Sequence, residues 1–206
     1  MAAIDPAIYE EMEISAETTD GSGKTIDLKL GVVKFNYYED LFSPTVTAQM
    51  LIVSAGGATK TNENGEGTEV LDTVYSGLPI RGGERVRFSD GSKEIFTLDL
   101  VSREAITNET SRVVKRYPKE SKISDHVKTI ITDRLASTIE NENIDETVNR
   151  YGFIGNLKKP FHVLVWLASK SKPKDGKLPG YFFYQTKDGF KFKSIDKLIS
   201  DGKKSE

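Results

Sequence analysis

The stretch FNYYEDLFSPTVTAQMLIV, residues 35–53, constrains the fold more than any other part of the chain. It holds two β-rich runs that meet at an acidic corner. Val32, Val33, Phe35, Tyr37 and Tyr38 lead in, and Glu39 and Asp40 interrupt. Leu41 and Phe42 follow, Ser43-Pro44 turns the chain, and Thr45, Val46, Thr47, Met50, Leu51, Ile52 and Val53 lead away. β-branched and aromatic residues suit a pleated, half-buried surface, and Ser-Pro is a turn signal that a central strand rejects. A corner this apolar, carrying two adjacent aromatics and two carboxylates, is either packed within its own domain or built to meet a partner.

The same reading extends over residues 12–105, which are mostly β in pattern. Residues 12–17 and 25–30 alternate around the turn Asp20-Gly21-Ser22-Gly23. Residues 55–67 are rich in Gly, Asn, Thr and Glu and read as a loop, and residues 68–77 as a short helix or an irregular segment. Residues 84–88 and 93–102 are two strands around Asp90-Gly91. About six strands at this spacing predict a small antiparallel barrel or sandwich.

The period changes near residue 122. Ser124 is a good N-cap, and Val127, Ile130, Ile131 and Leu135 fall on one helical face. Pro160 suits the first position of a second helix, whose apolar face is Phe161, Leu164, Val165, Leu167 and Ala168, with Trp166 beside it. Residues 180–195 read as a hairpin turning at Asp188-Gly189, which sets Gln185 opposite Phe192 and Phe183 opposite Ser194. A short helix is expected over residues 196–200. The fold class is thus α+β: a β domain over residues 1–105, then a smaller α+β domain over 106–206 with two helices and a hairpin.

Charge follows the same division. The chain has a net charge of −2, but residues 1–110 carry 19 acidic and 9 basic side chains, a net of −10, and residues 111–206 carry 12 and 20, a net of +8. The basic residues are dispersed, without the runs that mark a nucleic-acid patch. Cysteine is absent, which excludes disulfides, thiolate metal sites and cysteine nucleophiles. No basic start followed by an apolar core opens the chain, and no apolar run approaches the length of a membrane span, so a secretory signal and a membrane anchor are not expected.

No arrangement of residues carries catalysis. His126 and His162 lack metal-ligand spacing. Glu39 and Asp40 are adjacent, and in an extended segment they point to opposite faces, which is poor geometry for paired acid-base work. Gly82-Gly83 lacks the ending of a phosphate-binding loop and reads as a turn entering a strand. Arg85 and Arg87 alternate with Val86 and Phe88 and share a strand face, which suits either an anion clamp or acidic side chains of a neighbouring subunit, and the second is favoured because no phosphate-binding loop accompanies them. No enzyme activity, cofactor or metal is expected.

Five blocks in order, FNYYEDLFSPTVTAQMLIVSAGG, GLPIRGGERVRF, RYPKESKISDHVKTII, NRYGFIGNLKKPFHVLVWLASKS and GYFFYQTKDGFKFKSID, together resemble the N-terminal part of the baseplate hub proteins of contractile-tailed bacteriophages. The resemblance runs over residues 12–199. It implies a tail-tube-type β domain followed by part of an adjoining α+β domain. It also implies assembly with itself as a homotrimer or other ring, with the tail tube protein and the central spike protein as partners. DNA would pass through the ring without specific binding. Such a protein works in the virion tail baseplate and is assembled in the host cytoplasm. A second tube domain of the family is missing, so the chain is either a fragment of a longer hub protein or a short relative. The subunit contacts expected are Tyr37, Tyr38, Glu39, Asp40, Phe42, Arg85 and Arg87, because aromatics and arginine favour interfaces. The competing readings are a spike-base module of a related contractile injection or secretion system, a cell-wall hydrolase, and a nucleic-acid-binding protein.

Overall fold

A computed structural model describes residues 31–53, 95–174 and 178–202 in full, and the backbone alone of 13–15, 25–27, 54, 60–61, 68–69, 80–87 and 94. The chain divides into two units: Met1–Tyr37 with Thr47–Val101, and Tyr38–Val46 with Ser102–Glu206. Among the described residues, antiparallel strands and four α-helices make an α+β fold.

In the first unit, β1 (Glu13–Ser15) pairs with β2 (Thr25–Asp27) as a hairpin pattern predicts. The turn expected at residues 20–23 lies outside the described residues. The main sheet contains β3 (Val32–Tyr38) and β4 (Thr47–Ser54). Two short strands, β5 (Lys60–Thr61) and β6 (Thr68–Glu69), pair with each other in the stretch read as a loop and an undecided segment. The rest of that stretch lies outside the described residues, as does the Asp90-Gly91 turn. β7 (Ile80–Arg87) and β8 (Glu94–Val101) complete a four-stranded sheet in the order β3-β4-β8-β7. Gly82 and Gly83 are inside β7 rather than in a turn before it, next to a register shift between Ile80 and Gly82. Glycine tolerates the backbone distortion of such a bulge.

The sheet's core follows from alternation. Ala48 pairs with Leu100, Met50 with Leu98 and Ile52 with Phe96, and all six are buried, with Val32 and Phe35 of β3 packed against them. The intervening residues form the other face, where Gln49 Nε2 donates to Asp99 Oδ1 at 3.1 Å. β3 and β7 end the order on opposite sides, so of the barrel or sandwich expected, no closed barrel forms among the described residues.

The second unit, the larger of the two, is built on α1 (Arg103–Thr110), β9 (Arg116–Tyr117), α2 (Ile123–Leu135) and β10 (Phe153–Ile154). It continues with α3 (Pro160–Lys170), β11 (Tyr181–Thr186), β12 (Gly189–Ser194) and α4 (Ile195–Gly202). Its core joins Val127, Ile130, Ile131 and Leu135 of α2 to Phe161, Leu164, Leu167 and Ala168 of α3, and to Tyr181, Phe183, Phe190 and Phe192 of the hairpin. Pro160 opens α3 as its fixed φ predicts. Val163, not Val165, completes the apolar face, because 163 lies on the same arc as 160, 164 and 167.

Two local expectations change. Ser124 does not cap α2, since Lys122 occupies that position. Ser124 is buried in the first turn instead, where its N–H donates to Thr147 Oγ1 at 3.1 Å and its hydroxyl accepts from the Thr147 N–H at 3.4 Å. The hairpin register is two residues away from that expected: Phe183 faces Phe192 and Gln185 faces Phe190. Gly189 stands at φ +97 and pairs with Thr186, leaving Lys187 and Asp188 as the turn. The glycine therefore closes the loop after the turn, as in a bulged hairpin, and does not sit at its centre. α1 has no counterpart in the sequence reading. Asn108 on α1 accepts the Phe161 N–H at 2.8 Å and so satisfies an orphan donor of α3.

Candidate assembly surface

The acidic corner belongs to the second unit. Asp40 builds it: its Oδ1 accepts the Phe42 N–H at 2.9 Å, and its carbonyl accepts the Ser43 N–H at 3.0 Å. Asp side chains favour such turns because they bond backbone two residues on. The tight turn is thus Asp40 to Ser43, just before the expected Ser43-Pro44.

The corner then fastens to the β11–β12 hairpin. Glu39 Oε1 accepts the Lys187 N–H at 2.6 Å. Phe42 meets Phe182 edge-on, with ring centroids 5.3 Å apart at 90°. The Val46 N–H donates to Gln185 Oε1 at 3.2 Å, and Gln185 Nε2 donates to Glu104 Oε2 at 3.1 Å. Ser137 Oγ donates to the other oxygen of Glu104 at 3.1 Å. Thr45 and Ser102 share a hydrogen bond between their hydroxyls at 2.8 Å. Burial holds the Tyr184 hydroxyl above its ordinary range, and Asp145, Asp201 and Glu39 add to the shift.

These bonds occupy both carboxylates but leave the aromatics open. Phe42 is 78% exposed and Tyr38 52%. Tyr37 lies on β3, at one edge of the first unit's sheet. Arg85 and Arg87 lie on β7 at the opposite edge, paired in register with Phe96 and Glu94. Their side chains lie outside the described residues. Of the seven predicted contact residues, Tyr37 and Tyr38 therefore end β3, Glu39, Asp40 and Phe42 follow in the corner, and the two arginines lie on β7.

Neither histidine is placed as a ligand in a cluster. His126 is buried, with Nε2 3.1 Å from the Pro118 carbonyl and 2.9 Å from that of Tyr151, so this nitrogen serves as a donor. His162 is exposed on α3. Among the described residues no group of three or more His, Asp and Glu side chains is arranged to hold a metal, and no helix is long and apolar enough to cross a membrane. Sequence reasoning missed the strand pair β9–β10 and the loop after it. Its one signal was the run YGFIGNLKK, apolar and cationic without an acid.

The class that this geometry defines is an α+β protein of two units with exposed aromatics at a sheet edge and at a corner. No protein-family model and no curated protein matches the sequence. Among solved structures, the crystal structure of the 43 kDa tail protein of prophage MuSo2 from Shewanella oneidensis shares the fold, with a TM-score of 0.54 at 11% identity. The match covers 88% of this chain and 54% of that one, so the chain spans about half the length of its structural neighbour.

Proposed function

We propose that the chain is a structural subunit of a phage tail, placed at the baseplate hub where tail tube meets central spike. The observation that carries this reading is the fold shared with a prophage tail protein over 88% of the chain, a span that neither unit alone supplies. The five ordered sequence blocks support the same place.

The separation of the contact candidates supports a ring. Heterologous contacts close a ring when one surface of a subunit meets a different surface of the next. β3 with Tyr37 and β7 with Arg85 and Arg87 are two such surfaces, at opposite edges of one sheet. In this reading the chain assembles as a homotrimer or other ring, binds tail tube and spike proteins, and performs no chemistry of its own. Its acid-rich first half suits a lumen that DNA slides through, because few cations means weak nonspecific phosphate affinity.

Coexpression with the tube and spike proteins encoded with it, followed by electron microscopy, tests the reading. Rings that copurify with both proteins are the expected result, and Tyr37→Asp or Arg85→Glu should prevent them. A chain that forms no ring and retains neither partner would refute the hub assignment.

A further inference from the structure

The second unit carries a surface that the hub reading does not use. β9 and β10 pair antiparallel, with Ile154 opposite Arg116 and Phe153 opposite Tyr117. Alternation turns Tyr117 and Val113 inward, where both are buried, and leaves Val114, Arg116 and Ile154 outward. The loop that follows is pinned by its backbone. The Gly155 N–H donates to the Lys115 carbonyl at 3.1 Å, and the Leu157 N–H to the Val113 carbonyl at 3.1 Å. A Cβ on Gly155 would lie 2.3 Å from the Val113 oxygen, so only glycine fits there.

What this pinned loop displays is apolar. Ile154 is 69% exposed, Leu157 68% and Val114 52%. Leu157 is held at φ 58, directly after Asn156 at φ 49. A bulky residue at positive φ is a genuine outlier, and strain of this kind persists where the surroundings over-determine it, often at a contact site. Here the strained side chain gains no burial in return. Beside it lies a recess of about 230 Å³ lined by residues that include Phe153, Ile154, His162, Val163 and Trp166.

The frame is cationic. Residues 113–119 and 150–158 hold Lys115, Arg116, Lys119, Arg150 and Lys158 and no carboxylate. Lys115 pairs with Asp133, while the other four have no ion-pair partner among the described residues. The complementary charge is in the same sequence, in the first half with its net of −10. A recess sized for side chains, lined by apolar groups and Lys158, fits an acidic protein surface that presents an apolar side chain.

We propose that the β9–β10 pair and the loop 153–158 form a docking surface for the acid-rich first half of a second copy of this chain, with Ile154 and Leu157 as its apolar anchors. The inference rests on the ring reading above and names a contact of that ring separate from the sheet edges.

Light scattering of the full chain over a range of concentrations and salt tests it, with Leu157→Gly and with Ile154→Asp/Arg116→Glu. Leu157→Gly keeps the fold, because glycine adopts positive φ without strain. The wild type should self-associate at low salt and dissociate as salt rises, since screening weakens charge attraction. Each variant should weaken self-association by roughly tenfold or more, with an unchanged circular dichroism spectrum, as loss of an interface anchor does. Variants that assemble like the wild type would overturn the docking surface and leave the hub reading intact. A wild type that stays monomeric at low salt would also overturn it, and coassembly with tube and spike then decides the hub reading separately. Binding to anionic vesicles or duplex DNA that both variants abolish, with no change in mass, would assign the surface to another occupant and overturn the proposal.

Discussion

Ala136 ends α2 at φ 50, in the left-handed region, where an L side chain costs about 1–2 kcal/mol. Glycine is the usual solution at such a helix end. Ala136→Gly should therefore stabilise the protein, by about 0.5–1 kcal/mol once the greater freedom of the unfolded glycine is subtracted. Denaturant unfolding would show a raised midpoint at unchanged slope; a lowered midpoint would mean the left-handed turn is not strained. Single residues were legible in the sequence where their role was periodic. Val127, Ile130, Ile131 and Leu135 were readable as a buried face and are one. Ser124 was not readable as a partner of Thr147, because a hydroxyl carries no mark of a neighbour that lies 23 residues away. The positive φ of Leu157 was equally silent, since leucine ordinarily avoids it.

The β11–β12 hairpin shows what a pattern of period two can and cannot specify. Alternation placed Phe183 and Gln185 on one face with Phe192 and Ser194, and that face is the buried one. It could not choose between registers two residues apart, which preserve the faces; Gly189 at φ +97 decides that. α1 was missed because REAITNET has no apolar stripe, and Ile106 on it is exposed. The corner was legible as a turn but not as part of the second unit. Its attachment depends on Lys187 and Gln185, and the Val46 bond to Gln185 spans 139 residues. Gln185 is the element to test. Gln185→Leu would leave the Val46 N–H without its acceptor and Glu104 without one donor, at a cost of about 1–3 kcal/mol. Hydrogen exchange should then rise at Val46 and its neighbours; unchanged protection there would show that the corner is held by other contacts.

At the scale of the whole molecule, alkali is the expected weakness. Burial raises the hydroxyls of Tyr117, Tyr181 and Tyr184 above the ordinary value of 10.0, most strongly Tyr181, with Asp145 and Glu146 adding to it there. A raised folded value means that the unfolded chain releases these protons first. The stability they contribute is complete below pH 10 and falls as pH climbs above it. From neutral pH to about 9 thermal unfolding should change little, and it should drop beyond 10, in the range where tyrosine ionises. Tyr181→Phe should reduce that drop; an unaltered alkaline profile would remove Tyr181 as its source. The path of the chain adds a temporal consequence. Residues 38–46 leave the ribosome some 140 residues before the hairpin that receives them. At about 5–20 residues per second that delay is roughly 7–28 s. Through it Phe42 and its neighbours have no docking site, so the nascent chain must keep an aromatic corner soluble, and Glu39 and Asp40, beside it from the start, supply the charge that does so.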